Sequence, residues 1–128
     1  MESINIMKNA IEDIISSLPL NKATGPDKIS HKLLKKTVGT VSEALCHLFN
    51  KSLLSSTYPS EWKKAHVMPL LKKAELNLAS NYRPISLISC VGKLFERVVF
   101  KHLYNYFLSN KLLYKYQSGF QVGHSTVH

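Results

Sequence analysis

The stretch Asn81-Tyr82-Arg83-Pro84-Ile85-Ser86-Leu87 decides how the rest of the chain reads. An arginine directly before a proline is held extended, because the proline ring crowds the helical region of the preceding residue. Arg83 to Ile88 therefore reads as a short strand. Upstream, residues 65–71 (Ala-His-Val-Met-Pro-Leu-Leu) are apolar and too few for a helix, so they read as a second strand. Pro69 has no N–H for a central ladder and marks an edge or a bulge. The polar stretch from Lys72 to Asn81 lies between the two runs. The simplest pairing is an antiparallel hairpin with a long flexible tip. That geometry sets Lys72 and Arg83 across from each other at the base of the tip. A guanidinium presents a rigid fork of donors matched to phosphate. The pair is therefore a candidate phosphate clamp, and the plain alternative is an ordinary solvated tip.

Helical spacing surrounds the hairpin. Residues 3–18 place Ile4, Met7, Ile11, Ile14, Ile15 and Leu18 three and four apart, one apolar stripe closed by Pro19. A Gly25-Pro26 turn follows, with Asp27 or Ser30 available to cap a short helix over residues 29–38 whose inward side chains are Ile29, Leu33, Leu34 and Val38. Gly39 ends it. Thr40 and Glu43 form a capping-box pattern before Val41, Leu45, Leu48, Phe49 and Leu53, which predicts a helix over residues 41–56. Tyr58-Pro59 stops that helix, and Trp62 is the expected anchor of the core. Beyond the hairpin, residues 91–108 return to helical spacing through Val91, Leu94, Phe95, Val98, Val99, Leu103, Tyr106 and Phe107. Glu96 and Arg97 are adjacent and so do not face each other along a helix, which leaves Glu96 to hold the loop behind it. The glycine-flanked run from Gln117 to Thr126 reads as a loop that hugs something.

A chain of 128 residues, 45% hydrophobic and 20% charged, has the composition of a single globular domain or part of one. No apolar run approaches the roughly 20 residues that span a membrane. The start lacks the basic and apolar segments of a secretory signal. Cys46 and Cys90 have no CxxC spacing and read as reduced, buried and intracellular. The net charge of +9 is uneven: residues 1–59 hold seven lysines against five acids, and residues 60–128 hold ten basic residues against three acids. This suits either a solvated lysine surface or a polyanion-binding one, and composition does not choose. No acidic residue follows Glu96, and the aspartates are Asp13 and Asp27 alone. A two-metal site, a zinc site and a serine or cysteine nucleophile scheme all lack their residue patterns.

Several motifs together carry more than their physics. Lys22-Ala23-Thr24-Gly25-Pro26-Asp27 is followed by Ile29 and Lys32-Leu33-Leu34-Lys35, then by Tyr58-Pro59, Trp62-Lys63, Val67, Pro69 and Lys72. After these come the Asn81–Leu87 stretch, Lys93, Glu96, Gln117-Ser118-Gly119-Phe120, Gly123, Ser125 and Thr126. In this order and spacing the chain resembles the N-terminal part of the reverse transcriptase domain of non-LTR retrotransposons, of the jockey-like or LINE-like kind. The resemblance implies an α+β, mostly helical fold: the fingers and early palm of a right-hand polymerase, with one small antiparallel hairpin. Residues 1–128 would form a partial domain. It implies that Arg83, with Lys72 as partner, grips the triphosphate of an incoming nucleotide. Gln117, Gly119, Phe120 and Gly123 would lie along the template. The implied parent reaction is RNA-directed DNA synthesis with magnesium and deoxynucleotides on an RNA template and DNA primer, in the cytoplasm and nucleus.

Two features depart from the family pattern. Gln121 stands where an arginine or lysine often follows Gly-Phe, and the aspartates that bind metal in the family fall beyond residue 128. The isolated chain is therefore expected to hold no metal or other cofactor and to catalyse nothing. Alternatives are a residual basic nucleic-acid-binding module and a non-functional relic whose hairpin edges invite aggregation.

Overall fold

The computed structural model describes residues 4–72, 75–114, 116, 117, 119 and 123. Its order is helix α1 (Lys8–Ser17), α2 (His31–Lys36), α3 (Val38–Leu54), strand β1 (Ala65–Leu71), β2 (Tyr82–Ile88) and α4 (Cys90–Ser109), with 3-10 turns at Ser60–Lys63 and Ala79–Asn81. The strands form one two-stranded antiparallel sheet among the described residues. The chain is thus mixed helix and strand, with the hairpin that the Arg-Pro stretch predicts.

The helices build the core. Ile11, Ile14 and Ile15 bury one face of α1, which packs on α3 and α4. Leu18 leaves the helical region (φ −64°, ψ 137°) directly before Pro19, so the proline sets the stop. The stripe begins later than its spacing suggests. Ile4 to Met7 precede the helix; Met7 is 59% exposed, and Ile6, outside the stripe, is 1% exposed. Asn50 explains this exchange. Its Oδ1 accepts the Ile6 N–H at 2.9 Å, and its Nδ2 donates to the Ile6 carbonyl at 2.8 Å. Cys46 Sγ donates to the same carbonyl. An extended backbone segment is pinned edge-on to α3, and its side chain falls inward.

Ser30 caps α2 by accepting the Leu33 N–H at 3.1 Å, while Asp27 accepts the Ile29 N–H and shapes the turn before it. Leu34 is buried, but Leu33 is half exposed. The expected capping box is absent. Thr37 ends α2 and begins α3, so the break falls before Gly39, and Thr40 lies inside the first turn of α3. Thr37 Oγ1 donates to the Leu33 carbonyl, and Glu43 approaches Lys8 instead of a helix end. A Cβ at Gly39 would meet nothing within 4 Å, so that glycine is tolerated rather than used as a stop. Leu45 and Phe49 of α3 are buried; Leu48, expected inside, is not.

Trp62 anchors the core as expected. Its ring meets Phe49 edge-on at 5.8 Å and lies 5.5 Å from Phe95 of α4, and Tyr58 joins the cluster at 5.4 Å. Glu96 does hold the loop behind it: the Tyr58 hydroxyl donates to Glu96 Oε1 at 3.0 Å. Burial first, then the bond to and charge of Glu96, push the Tyr58 hydroxyl up to about 12. At Gly92 a Cβ would sit 3.0 Å from Trp62 Cβ, a contact tight enough that the tryptophan would have to give by a few tenths of an ångström.

Candidate nucleotide and nucleic-acid interface

The hairpin grows out of the helical body at Ile88. Ser89, itself buried, accepts the N–H groups of Val91 and Gly92 and caps α4. Gly25 lies directly beneath this junction. A Cβ there would come within 2.5 Å of the Ile88 carbonyl carbon and 2.6 Å of the Ser89 nitrogen. The Ala-Thr-Gly-Pro-Asp loop thus clasps the hairpin root to α4, and only glycine fits.

Beyond its root the hairpin stands clear of the helices. Every residue of β1 is exposed, including Val67, Met68 and Leu70 at 61, 54 and 57%. The register pairs Ala65 with Ile88, Pro69 with Pro84, Leu70 with Arg83 and Leu71 with Tyr82. The Lys72 N–H donates to the Asn81 carbonyl at 2.7 Å and extends the same register one step. That bond makes 72/81 a hydrogen-bonded pair, and such pairs alternate along an antiparallel ladder. The two prolines therefore face each other at a position where neither N–H is needed inside the sheet. Each removes an outward donor from its own edge instead. The edges expected to invite aggregation are both blunted in this way.

The register also corrects the expected placement of the two cations. Arg83 lies across from Leu70, and Lys72 lies across from Asn81. The two are diagonal rather than opposite, but side-chain alternation puts them on one face. That face holds His66, Met68, Leu70 and Lys72 against Arg83, Ile85 and Leu87. The other face, with Val67, Pro69, Leu71, Pro84 and Ser86, has no cation. Diagonal neighbours sit about 7–8 Å apart, within reach of long side chains. Among the described residues the ion pairs are Lys8 with Glu12 and Glu43, and Lys64 with Glu61, so neither Lys72 nor Arg83 is neutralised.

Asn81 and Tyr82 have a role that sequence reasoning missed. Asn81 is buried, its Nδ2 donates to the Glu75 carbonyl at 3.0 Å, and its N–H closes on Leu78. The Tyr82 hydroxyl donates to the Leu76 carbonyl at 3.0 Å. The tip, expected to be a long flexible loop, is tied by these bonds over its described residues 75–81. An asparagine after a polar run is the available signal, because its amide readily bonds nearby backbone.

Near the C-terminal end, the Gln117 N–H bonds the Tyr114 carbonyl and its Nε2 donates to the Gly119 carbonyl at 2.9 Å. Among the described residues a Cβ at Gly119 or Gly123 would meet nothing within 4 Å, and Gly123 has φ +80°, a conformation that favours glycine. Phe120 lies outside the described residues.

The magnesium implied by the resemblance does not fit this donor set. No three His, Cys, Asp or Glu side chains among the described residues come together to hold a metal. Asp27 is engaged with backbone, and Asp13 is exposed on α1. His31 donates from Nδ1 to the Pro19 carbonyl, and His102 from Nδ1 to the Val98 carbonyl, so both are structural. No helix is long and apolar enough to cross a membrane among the described residues.

No family model matches. Individual relatives do. The chain is 34% identical over 118 residues to a probable RNA-directed DNA polymerase from transposon BS of Drosophila melanogaster, covering 91% of this chain and 13% of that protein. It is 29% identical over 117 residues to the RNA-directed DNA polymerase from mobile element jockey of the same fly, with the same two coverages. It is 30% identical over 118 residues to a Pol polyprotein from the type-1 retrotransposable element R1 of Bradysia coprophila, covering 91% of this chain and 12% of that protein. The chain spans about an eighth of the length of these curated relatives. Over that span it is similar to the RNA-directed DNA polymerases of non-LTR retrotransposons.

Proposed function

We propose that this chain supplies the nucleotide-gripping fingers hairpin, the template-side loop and the start of the palm of a right-hand RNA-directed DNA polymerase. The observation that carries the reading is the shared, un-neutralised face of Lys72 and Arg83 on a protruding hairpin with a tied tip. A triphosphate is a compact polyanion. An exposed ammonium and a guanidinium fork about one diagonal apart match two of its phosphates without rearrangement. Preorganisation comes from Asn81 and Tyr82, which hold the tip, and from Gly25, which holds the root.

The template-side role rests on Gly119. Among the described residues nothing crowds the space a Cβ would fill there, and a bare backbone admits close approach by a nucleic-acid strand. The parent reaction would draw on magnesium, deoxynucleotides, an RNA template and a DNA primer, in the cytoplasm and nucleus. In this reading the chain's own residues bind and orient the triphosphate.

Titrating the 128-residue chain with dATP, and with deoxyadenosine as the uncharged control, tests the reading. Arg83→Ala and Lys72→Ala should each weaken dATP about tenfold, the loss of one charge-assisted contact. Deoxyadenosine should bind far more weakly and ignore both substitutions. Unchanged dATP affinity in both variants would refute the clamp.

A further inference from the structure

We infer that the groove between α2 and α3 is a protein-docking site for a basic amphipathic helix, and this does not rest on the nucleotide clamp of the hairpin. Leu34, Leu45, Trp62 and Val91 make its floor and are buried in the core. Leu33 of α2 and Leu48 of α3 make its walls and are 50% and 41% exposed. Its volume is about 370 Å³, inside the range of about 300–1,000 Å³ usual for binding clefts. Helical spacing predicted both wall leucines as core residues. Instead they carry the apolar stripes of α2 and α3 outward and meet across one opening. A single exposed leucine is ordinary, whereas an apolar groove marks an interaction site.

Charge selects the occupant. Among the described residues, the charged side chains that line the groove are Asp27 and Glu61. No lysine or arginine lines it, although the chain has 17 basic residues against 8 acidic ones. The groove therefore repels phosphate and attracts a cationic partner, the reverse of the rest of the surface. Glu61 meets Lys64 at 2.6 Å, but both side chains are mostly exposed, and such a pair exchanges readily for an incoming cation. Asp27 gives one oxygen to the Ile29 N–H, and a carboxylate accepts at both. Backbone chemistry selects the shape. Helices and the Ser60–Lys63 turn bound the groove and offer no strand edge. An extended peptide would leave its N–H and C=O groups unpaired against leucine side chains, whereas a helix satisfies them internally. Val41, Leu45 and Leu48 line the groove over seven residue steps of α3, about 10 Å or two helical turns. A helix laid beside them matches that row with apolar residues three and four apart, and carries lysine or arginine at its margins.

The test uses the intact 128-residue chain and fluorescein-labelled, end-capped peptides of about 15 residues, read by anisotropy. The parent peptide carries leucines three and four apart on one face and lysines elsewhere. One control replaces every lysine by glutamate, one replaces every leucine by alanine, and one places a proline in the middle. The parent peptide should bind saturably, and each control should bind at least about tenfold more weakly. Leu33→Gln and Leu48→Gln, exposed positions that leave folding intact, should each weaken the parent peptide about tenfold. Glu61→Gln should weaken it about two- to fivefold, and raised salt should erase that difference. The inference is overturned if binding is not saturable, or if both leucine substitutions leave it unchanged. It is also overturned if any control binds as well as the parent: the glutamate peptide would deny the charge selection, the alanine peptide the groove, and the proline peptide the helix. Sedimentation equilibrium of the chain alone covers the remaining occupant. A monomer supports the inference, and self-association that Leu48→Gln abolishes would give the groove to a second copy and overturn it.

Discussion

The helical body and the hairpin use similar apolar side chains to opposite ends. In the body, Phe49, Ile11, Ile15 and Leu94 are sealed from water. In the hairpin, Val67, Met68, Leu70 and Ile85 are all open to it. The body satisfies its own hydrophobic demand. The hairpin satisfies only its backbone, through the ladder, the tip bonds of Asn81 and Tyr82, and the clasp at Gly25. A two-stranded ribbon is marginal by itself in water. Its shape here is therefore borrowed from the body through a few fixed points and lent to whatever meets its faces.

The sharpest way to break this contrast is Phe49→Ala. Phe49 is fully buried and touches the rings of both Trp62 and Phe95. Urea denaturation should show a loss of about 3–5 kcal/mol, a large share of a domain's typical total of about 5–15 kcal/mol. A loss under 1 kcal/mol would mean that the body is not organised around that ring. Next is Gly25→Ala, which forces a Cβ onto the backbone of Ile88 and Ser89. Overpacking of this kind costs about 1–3 kcal/mol. The substitution should also speed amide exchange in both strands before it does so in α1. Uniform exchange across the chain would deny the clasp.

Tyr58→Phe should cost about 1 kcal/mol, the worth of one net hydrogen bond. It also has a pH signature. The Tyr58 hydroxyl titrates higher in the folded chain than its ordinary 10.0, at about 12. A raised value favours the folded state while the phenol is protonated. That contribution is complete below pH 10 and fades as pH climbs from 10 to 12. The parent chain should therefore lose stability in this window faster than Tyr58→Phe does, read by far-ultraviolet circular dichroism in matched urea series. Parallel curves would argue against it. The smallest effect belongs to the hairpin: Val67→Thr, with 61% of the residue exposed, should change stability by no more than about 0.5 kcal/mol. A larger loss would show that the ribbon packs on the body after all.

The sequence made much of this legible, and the misses share a cause. Helical spacing located α1, α3 and α4, and Arg83-Pro84 located the hairpin, because these signals are local and repeat over several residues. The shared cap at Thr37 was obscured by Gly39 and the Thr40–Glu43 pattern, which satisfy a helix-start rule one turn too late. The burial of Ile6 depends on Asn50, 44 residues away, and no local pattern reports that. Lys72 and Arg83 were correctly given to one hairpin, but their exact pairing depends on register. A strand's apolar pattern fixes register only when one face is buried, and here neither face is.

The facing prolines have a consequence in time. A ribosome adds roughly 5–20 residues per second. Any interval before its faces are covered leaves the ribbon exposed. During that wait many copies on neighbouring ribosomes could template one another. Pro69 and Pro84 take a donor from the middle of each edge without weakening the ladder between them. The ribbon's faces thus stay open while its edges offer fewer donors to a second copy of the chain.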